Sequence, residues 1–449
     1  MEFPHTVRNK LDFLASANSK NPRMLYIGTM GIFDITTILM VLTAVFSYIN
    51  YRTLKLPTTI GVMGVSLLVS LGIAGMGAFG VEAPRHHAER IISNIDFNKT
   101  LLHGMLAFLL FAGALQIKFS DLTRQKYVIT MLSTVGVIVS TFVVGGLTWL
   151  MLGKLGMQVS FIHCLLFGAL ISPTDPVAVM AILKTSGIDK SLETQISGES
   201  LFNDGIGVVV FMIIMELAAG GGDITAGKIM QLFLQEAIGG LAFGLAIGAF
   251  AYLMLKRVDD YQLEVIITLA LVMGGYSLAD RLHTSGPLAM VAAGLLVGNH
   301  GRAFAMSDKT REHLDSFWEL IDEILNAVLF MLIGLEVQIM DFSWRYLTAG
   351  IVAIGIALLA RWASVSIAVS IMRLFRSFST GVISMLTWGG LRGGISVALA
   401  LSLPPWPGRN AILGITYIVV VFSILVQGLT LGKLAKRYNP RSSDYDAGL

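Results

Sequence analysis

Charged residues are scarce in this chain. Asp, Glu, Lys and Arg make up 14% of the 449 residues, and hydrophobic residues make up 55%. Soluble domains average about 25% charged residues, because a large soluble chain must cover its surface with charge. The mean hydropathy of +0.74 points the same way. The composition therefore excludes an ordinary soluble protein and predicts an integral membrane protein with the lipid bilayer as a partner.

Cysteine, long basic tracts and nucleotide-binding motifs are also missing. The single cysteine, Cys164, lies in an apolar stretch, so a disulfide or a cysteine metal site within one chain is excluded and a packing role is expected. The net charge is +3 and the basic residues are scattered, so nucleic acid is not an expected partner. No phosphate-binding glycine motif is present, so we expect no cofactor and no coupling to ATP.

Hydrophobic runs of the length that crosses a bilayer, about 20 residues, recur along the chain. The runs are continuous, whereas barrel strands alternate, so an all-α bundle is predicted. We predict thirteen transmembrane helices, at 24–49, 57–79, 101–117, 127–152, 158–183, 197–219, 229–255, 262–281, 286–300, 318–337, 346–372, 380–402 and 411–432.

Thirteen spans place the two ends of the chain on opposite sides of the membrane. Lys and Arg are more frequent in the loops on the C-terminal side, which predicts a cytoplasmic C-terminus and an external N-terminus. We expect a solvated tail at 1–23, a transmembrane domain at 24–435 and a short cytoplasmic tail at 436–449. Such a short tail favours the plasma membrane of a prokaryote.

The fifth span is interrupted by prolines near its middle. Pro173 and Pro176 flank Thr174 and Asp175, and each proline removes a backbone donor and clashes with the preceding turn. An unwound stretch at membrane depth is tolerated only where it is buried in protein or lines an aqueous cavity, where its freed carbonyls can bind a cation. This motif therefore predicts a binding site rather than a simple kink.

The twelfth span contains a second candidate break. Four glycines, at 389, 390, 393 and 394, surround Arg392 in the sequence TWGGLRGGISVALALSLP. Each glycine weakens a helix by about 1 kcal/mol relative to alanine, although small residues also serve close helix packing. An offset of seven spans reverses direction across the membrane. Spans 1–6 and 8–13 are therefore predicted to be inverted repeats whose two broken helices form a transport site at the midplane.

The sixth span carries a group of polar residues in the sequence GESLFND. Ser200 and Asp204 are four residues apart and share a helix face, as do Glu199 and Asn203, whereas the two carboxylates diverge by about 140°. We expect them to have different roles. Asp204 is predicted to bind a proton or a hard cation at the same oxygens, which makes the two ions competitors. The alternative is that Ser200 or Glu199 caps the helix and Asp204 lies in interfacial water.

Two arginines lie in the interior of predicted spans, away from the span ends. Arg361 lies in the middle of span eleven, where an unpaired guanidinium is costly, and we predict a structural ion pair with Glu199. Arg392 is expected beside the half-helix ends of the crossing breaks.

Other polar residues receive weaker interpretations. Glu319, Asp322 and Glu323 are interpreted as structural acids at the N-terminus of span ten. Asp34, Asn326, Glu336 and Gln338 remain ambiguous. The histidines at 86, 87, 103, 163 and 300 are interpreted as surface or packed residues, with pH sensing as the alternative.

The segments SPTDPVAV, GESLFNDG and GGLRGGISVALALSLP resemble the signature segments of NhaP-type sodium/proton antiporters, which are related to the animal NHE exchangers. The resemblance implies thirteen helices with inverted repeats, crossed broken helices, an elevator-like movement and a homodimer. It also implies that Na⁺ binds at Asp204 with oxygens from Thr174 and Ser200, and that Asp175 and Asn203 shape the site. Asn203 beside Asp204 implies one Na⁺ exchanged for one H⁺.

One position departs from the family pattern. Many relatives place an acid in the stretch corresponding to FAGALQI, where this chain has Gln116. We expect an antiporter for Na⁺ or Li⁺ against H⁺, serving pH homeostasis. The alternatives are exchange of K⁺ for H⁺, a passive channel, and an intramembrane protease that uses Asp175 and Asp204 as an aspartyl dyad.

Overall fold

The fold consists of helices and their connections. The computed structural model describes residues 32–78, 99–183, 190–220, 225–301, 307–339, 343–375, 378 and 381–438, and these contain no strand. The all-α prediction is therefore confirmed. The predicted tail at 1–23, the histidines at 86 and 87 and the residues after 438 lie outside the described ranges.

The helices before the chain midpoint include the first predicted break. They are α1 (Ile32–Ile49), α2 (Thr58–Ala78), α3 (Leu106–Gln116), α4 (Phe119–Ser133), α5 (Val135–Lys154), α6 (Phe161–Ile171), α7 (Val177–Leu183) and α8 (Lys190–Ala218). Short π-helical turns extend α1 through Leu54 and precede α3 from Lys99. The gap between α6 and α7 coincides with the proline motif.

The remaining helices include the second predicted break. They are α9 (Ala226–Phe233), α10 (Gly239–Leu255), α11 (Tyr261–Arg281), α12 (Gly286–Leu296), α13 (Asp308–Leu335), α14 (Trp344–Met372), α15 (Val382–Trp388), α16 (Gly394–Leu401), α17 (Arg409–Phe422) and α18 (Gly428–Tyr438). The gap between α15 and α16 coincides with the glycine motif around Arg392. Because α18 continues to Tyr438, the C-terminal tail predicted from residue 436 begins inside a helix.

The helices that could cross a membrane are identified by their length and composition. Within the described residues, eight helical stretches are long and apolar enough to span a bilayer, and two shorter apolar helices accompany them. The shorter ones include α6, which is half of a broken helix. The count of thirteen spans stays a prediction.

Two helix starts differ from the sequence prediction. Helix α13 begins at Asp308, with the Ser307 hydroxyl accepting from the Thr310 amide, so the N-terminal interpretation of Glu319, Asp322 and Glu323 is wrong. Helix α8 begins at Lys190, which places Glu199 and Ser200 inside it and rules out their capping role. In both cases the first turns are polar, and a hydropathy window detects only the apolar part of a helix.

The helices pack in two groups. In the first group α6 packs on α5 and α8, α14 packs on α5 and α17, and α18 packs on α7. In the second group α13 packs on α2 and α3, and α12 packs on α3, α10 and α11. Both broken helices belong to the first group, so the interrupted segments share one packing unit.

The contact between α5 and α6 depends on a glycine. A Cβ atom added at Gly168 would lie 2.2 Å from the Thr141 carbonyl oxygen, which is backbone and cannot rotate away. A Cβ atom at Gly146, also on α5, would have no neighbour within 4 Å. Close approach through small residues is the usual way that membrane helices pack.

We predict that Gly168→Ala lowers the free energy of unfolding by about 1–3 kcal/mol, because the added methyl group separates α5 from α6. Gly146→Ala is the matched control, and it should leave stability unchanged or raise it by up to about 1 kcal/mol. Thermal unfolding of the two purified variants measures the difference. Equal melting temperatures for the two variants would contradict this account of the packing.

Candidate functional site

The two breaks in the helices cross each other. The Asp175 amide donates a hydrogen bond to the Leu391 carbonyl oxygen over 2.7 Å, so each break supplies a partner for the other. A Cβ atom at Gly393 would lie 2.0 Å from Asp175 Oδ2, so only glycine permits this approach. Unwound backbone at membrane depth needs such internal partners.

Arg392 joins the second break to the end of α6. Its guanidinium Nη1 donates to the Pro173 carbonyl oxygen over 2.9 Å and also to the Ser172 carbonyl oxygen. Its backbone amide donates to Ser423 Oγ over 2.8 Å, a partner that sequence reasoning missed. Because the C-terminal end of a helix carries partial negative charge, the Arg392 cation stabilises the end of α6.

Thr174 is tied to α8 by three hydrogen bonds. The Asn203 side chain accepts from the Thr174 amide over 3.2 Å and donates to Thr174 Oγ1 over 2.9 Å. The Thr174 and Ser200 hydroxyl oxygens lie 3.0 Å apart. All three residues are buried. The structure thus brings the predicted Thr174, Ser200 and Asn203 together at the first break.

Asp175 is fixed at the start of α7. Its Oδ1 accepts from the Val177 amide over 2.9 Å, a contact that favours a carboxylate at a helix N-terminus. Pro173 packs on α8, where a Cβ atom at Gly207 would lie 2.2 Å from Pro173 Cγ. These positions are compatible with the predicted roles of the two residues: Asp175 shapes the site, and Pro173 supports the break.

Glu199 and Arg361 form a bidentate pair in the protein interior. Arg361 Nη2 donates to Glu199 Oε2 over 2.9 Å, and Nη1 donates to Oε1. The guanidinium also donates to the Leu386 carbonyl oxygen near the end of α15. The exposed fraction is 1% for Glu199 and 6% for Arg361. The pair connects α8, α14 and α15 and leaves neither charge uncompensated.

Asp204 differs from Glu199 in its surroundings. Its side chain is 7% exposed, and in the described part of the chain it has neither a hydrogen bond nor an ion pair. It lines the same cavity as Thr174 and Asp175. A buried carboxylate that keeps its oxygens free in a cavity is suited to bind a proton or a cation.

The cavity has a volume of about 1010 Å³ and lies between the two packing groups. Lys55, Lys118 and Lys190 line it, and each belongs to a loop or helix end on one face of the molecule. Helix α18 packs beside the cavity, since a Cβ atom at Gly432 would lie 3.3 Å from Cγ2 of Ile182, which lines it. The cavity therefore opens on the face that carries these lysines, beside α18.

Several residues on the opposite wall were not recognised as site residues. Glu319, Asp322, Glu323 and Asn326 on α13 line the cavity, as does the exposed Gln116 on α3. Their spacing of three, four and seven residues on α13 was the signal that they share one face. Hydropathy places the start of this helix at residue 318, ten residues after Asp308, and therefore predicts the three acids as helix N-terminal residues instead.

The ligands available in this site are oxygens. Asp204 and Thr174 line the cavity, and the Ser200 hydroxyl lies within hydrogen-bond distance of the Thr174 hydroxyl. Hard cations prefer such oxygen ligands. Within the described ranges no group of three His, Cys, Asp or Glu side chains is arranged to hold a metal ion. The donor set thus suits a monovalent or alkaline-earth cation better than a transition metal.

Two crossed discontinuous helices beside a buried, unpaired carboxylate define the class of secondary cation transporters. Comparisons with known proteins agree with this class. Residues 41–437 match the family model described as the transmembrane sodium/hydrogen exchanger. The chain therefore belongs to the sodium/hydrogen exchanger family, which is a family of transporters and not of enzymes, so the protease alternative is excluded.

Individual relatives cover almost the whole chain. It is 51% identical over 408 residues to the Na⁺/H⁺ antiporter NhaP of Pseudomonas aeruginosa, covering 90% of this chain and 96% of that protein. It is 36% identical over 398 residues to the Na⁺/H⁺ antiporter NhaH of Halobacillus dabanensis, covering 86% and 93%. The fold resembles that of the antiporter MjNhaP1 from Methanocaldococcus jannaschii, with a TM-score of 0.71, 19% identity and coverage of 90% and 97%.

The Glu199–Arg361 pair generates a prediction about stability. Arg361→Ala should lower the free energy of unfolding by about 3–5 kcal/mol, because it leaves a buried carboxylate uncompensated. The double variant Glu199→Leu with Arg361→Met should lose less free energy of unfolding than the single variants Glu199→Leu and Arg361→Met lose together, since it removes both charges.

The control is the solvent-accessible ion pair between Lys190 and Asp121, whose side chains are 70% and 23% exposed. Asp121→Asn should cost less than about 1 kcal/mol, because exposed pairs contribute little. Thermal unfolding of the purified variants measures all three effects. Additive losses in the double variant would show that Glu199 and Arg361 act independently.

Proposed function

We propose that this protein is a secondary antiporter that exchanges Na⁺, or Li⁺, for H⁺ across the membrane. The observation that carries the proposal is the unpaired Asp204 carboxylate, buried beside the crossed breaks and lining an open cavity. Membership of the sodium/hydrogen exchanger family supports it, and so do relatives that are named Na⁺/H⁺ antiporters.

Exchange follows from competition at one site. Na⁺ binds the Asp204 carboxylate together with the hydroxyl oxygens of Thr174 and Ser200, and a proton binds the same carboxylate when Na⁺ leaves. Asn203 and Asp175 hold the first break in the shape that presents Thr174. An uncovered charge is costly away from water, so the site crosses the membrane only with one ion bound, and opposite gradients are thereby coupled.

Alternating access needs a movement between rigid units. The packing group that contains both broken helices carries Asp204, and the group around α13 forms the opposite wall of the cavity. An elevator-like displacement of the first group would expose Asp204 to the other side of the membrane. Glu199, Arg361 and Arg392 keep the moving unit intact, because their bonds join helices within it.

The setting of the exchanger is part of the same proposal. It is a multi-pass protein of the cell membrane, with 24–435 as one transmembrane domain, and it works in pH homeostasis as a homodimer. The basic loops on the cavity face make that face cytoplasmic, with the N-terminus outside. In that orientation the cavity opens toward the cytoplasm.

Loss of the Asp204 carboxylate tests the mechanism. We predict that Asp204→Asn abolishes Na⁺-driven collapse of a pH gradient in proteoliposomes, because an amide cannot exchange a proton for Na⁺. Glu216→Gln is the matched control, since Glu216 lies on the same helix and pairs with Lys228 at the surface. A variant at Asp204 that exchanges as fast as the parent would disprove the mechanism.

The same assay tests the choice of cation. Na⁺ and Li⁺ should drive exchange in the parent protein and K⁺ should not. Exchange driven by K⁺ alone would keep the mechanism and replace the substrate.

The dependence of the exchange rate on membrane potential tests the stoichiometry. Because Asn203 leaves Asp204 as the single carboxylate of its pair, we predict one Na⁺ for one H⁺ and no net charge movement. Initial rates should therefore be equal with and without a potential imposed by K⁺ and valinomycin. Protein-free liposomes with a protonophore confirm that the potential is present. A rate that depends on the sign of the potential would contradict this stoichiometry.

A further inference from the structure

A polar stripe runs along α13 on the wall opposite Asp204. Glu319, Asp322, Glu323 and Asn326 all line the cavity, and at 3.6 residues per turn they lie within about 100° of one another. Glu319 and Glu323 are exposed, Asp322 is partly buried and Asn326 is buried. The stripe thus leads from the mouth of the cavity into the protein interior.

The buried end of the stripe lies close to the ion site. One turn beyond Asn326, the Leu329 side chain contacts the second break, where a Cβ atom at Gly394 would lie 2.4 Å from Leu329 Cδ1. Gly393, Gly394 and Asp204 line the same cavity. Asn326 is therefore the last polar side chain of α13 on the route to Asp204.

Asn326 itself lacks a partner that its burial requires. Its side chain is 2% exposed, and Nδ2 donates no hydrogen bond in the described part of the chain. An unsatisfied buried donor costs about 1–3 kcal/mol, so a hydrogen-bond acceptor in the cavity would stabilise the Asn326 side chain. The carboxamide oxygen is also a ligand type that hard cations accept.

The chemistry of the stripe identifies its ligand. Seven carboxyl side chains line the cavity against three lysines, and three of the seven belong to the stripe, so the lining attracts a cation. A cavity of about 1010 Å³ also has room for a cation that keeps its hydration water. Such water can accept a hydrogen bond from Asn326 Nδ2. The described side chains packed around Asn326 do not accept one. A bare ion would leave that donor unsatisfied.

We propose that Asp322 and Asn326 form a second binding site on α13, which holds a hydrated monovalent cation before it reaches Asp204. The two side chains are four residues apart and so share one helix face. The site belongs to the packing group that does not carry Asp204, so it stays in place when the broken helices move. It rests on the proposed function for the identity of the cation, Na⁺, for the passage of that cation to Asp204 and for the movement of the broken helices.

If this second site exists, Na⁺ should still bind to the protein when the Asp204 carboxylate is removed. The probe is ²³Na NMR relaxation of NaCl titrated into the purified full chain, in the Asp204→Asn background. Excess line broadening should persist there, and should be lost when Asp322→Asn and Asn326→Leu are added. Adding Glu312→Gln instead is the control, because Glu312 is an exposed acid of α13 outside the cavity lining.

The outcomes separate this inference from the transport mechanism. Broadening that disappears with Asp204→Asn alone would overturn the second site and leave the antiport mechanism intact. Broadening that survives the added α13 changes would also overturn it. Persistence in the control together with loss in the α13 variant would support it, whether or not Asp204→Asn abolishes transport.

Transport kinetics give an independent readout. With Asp204 intact, Asp322→Asn should raise the KM for Na⁺ about threefold to tenfold, because one attracting charge is lost near the path of the ion. The maximal rate should be unchanged. Asp322→Glu should restore the KM to within about twofold, since it retains the charge. A fall in maximal rate at constant KM would indicate a structural role and overturn the proposal.

Discussion

Backbone polar groups at membrane depth have no water to bind, and this constraint organises the site. Each break frees amides and carbonyls that must find partners inside the protein. The Asp175 amide uses the Leu391 carbonyl oxygen, and the Arg392 guanidinium uses the carbonyl oxygen of Pro173. Without the other break, the freed backbone groups of each break would lack these partners. The crossing of the two helices is therefore a condition for either interruption to exist, and it fixes Thr174 in the wall of the cavity that Asp204 also lines.

The same constraint divides the buried charges by role. Glu199 is matched by Arg361 with bidentate geometry, and the Leu386 carbonyl oxygen takes further donors of that guanidinium. Such a pair holds α8, α14 and α15 in one unit and offers nothing to an ion. Asp204, five residues further along α8, has no such partner in the described chain. An unpaired charge inside the membrane has a high free-energy cost. Binding of a proton or a cation to Asp204 removes that cost.

Much of this arrangement could be predicted from local sequence. Prolines on both sides of Asp175 predict an interruption because proline cannot continue a helix, and a buried Arg361 predicts an acidic partner because an unpaired guanidinium is costly in lipid. The start of α13 could not be predicted in the same way. Its first turns are charged and lie outside the apolar window, so the hydropathy signal begins ten residues too late and the acids that line the cavity resemble a helix N-terminus.

The membrane environment, the helical class, the two breaks and the set of polar residues around them can be predicted from the sequence, because each depends on composition or on neighbours along the chain. Which of these groups lie in contact depends on the tertiary structure. Hydrogen bonds from Arg392 to residues more than 200 positions away, the support of the second break by Ser423 and the opening of the cavity on one face depend on how helices pack. Packing joins residues that are distant in sequence, and no local pattern specifies those distances.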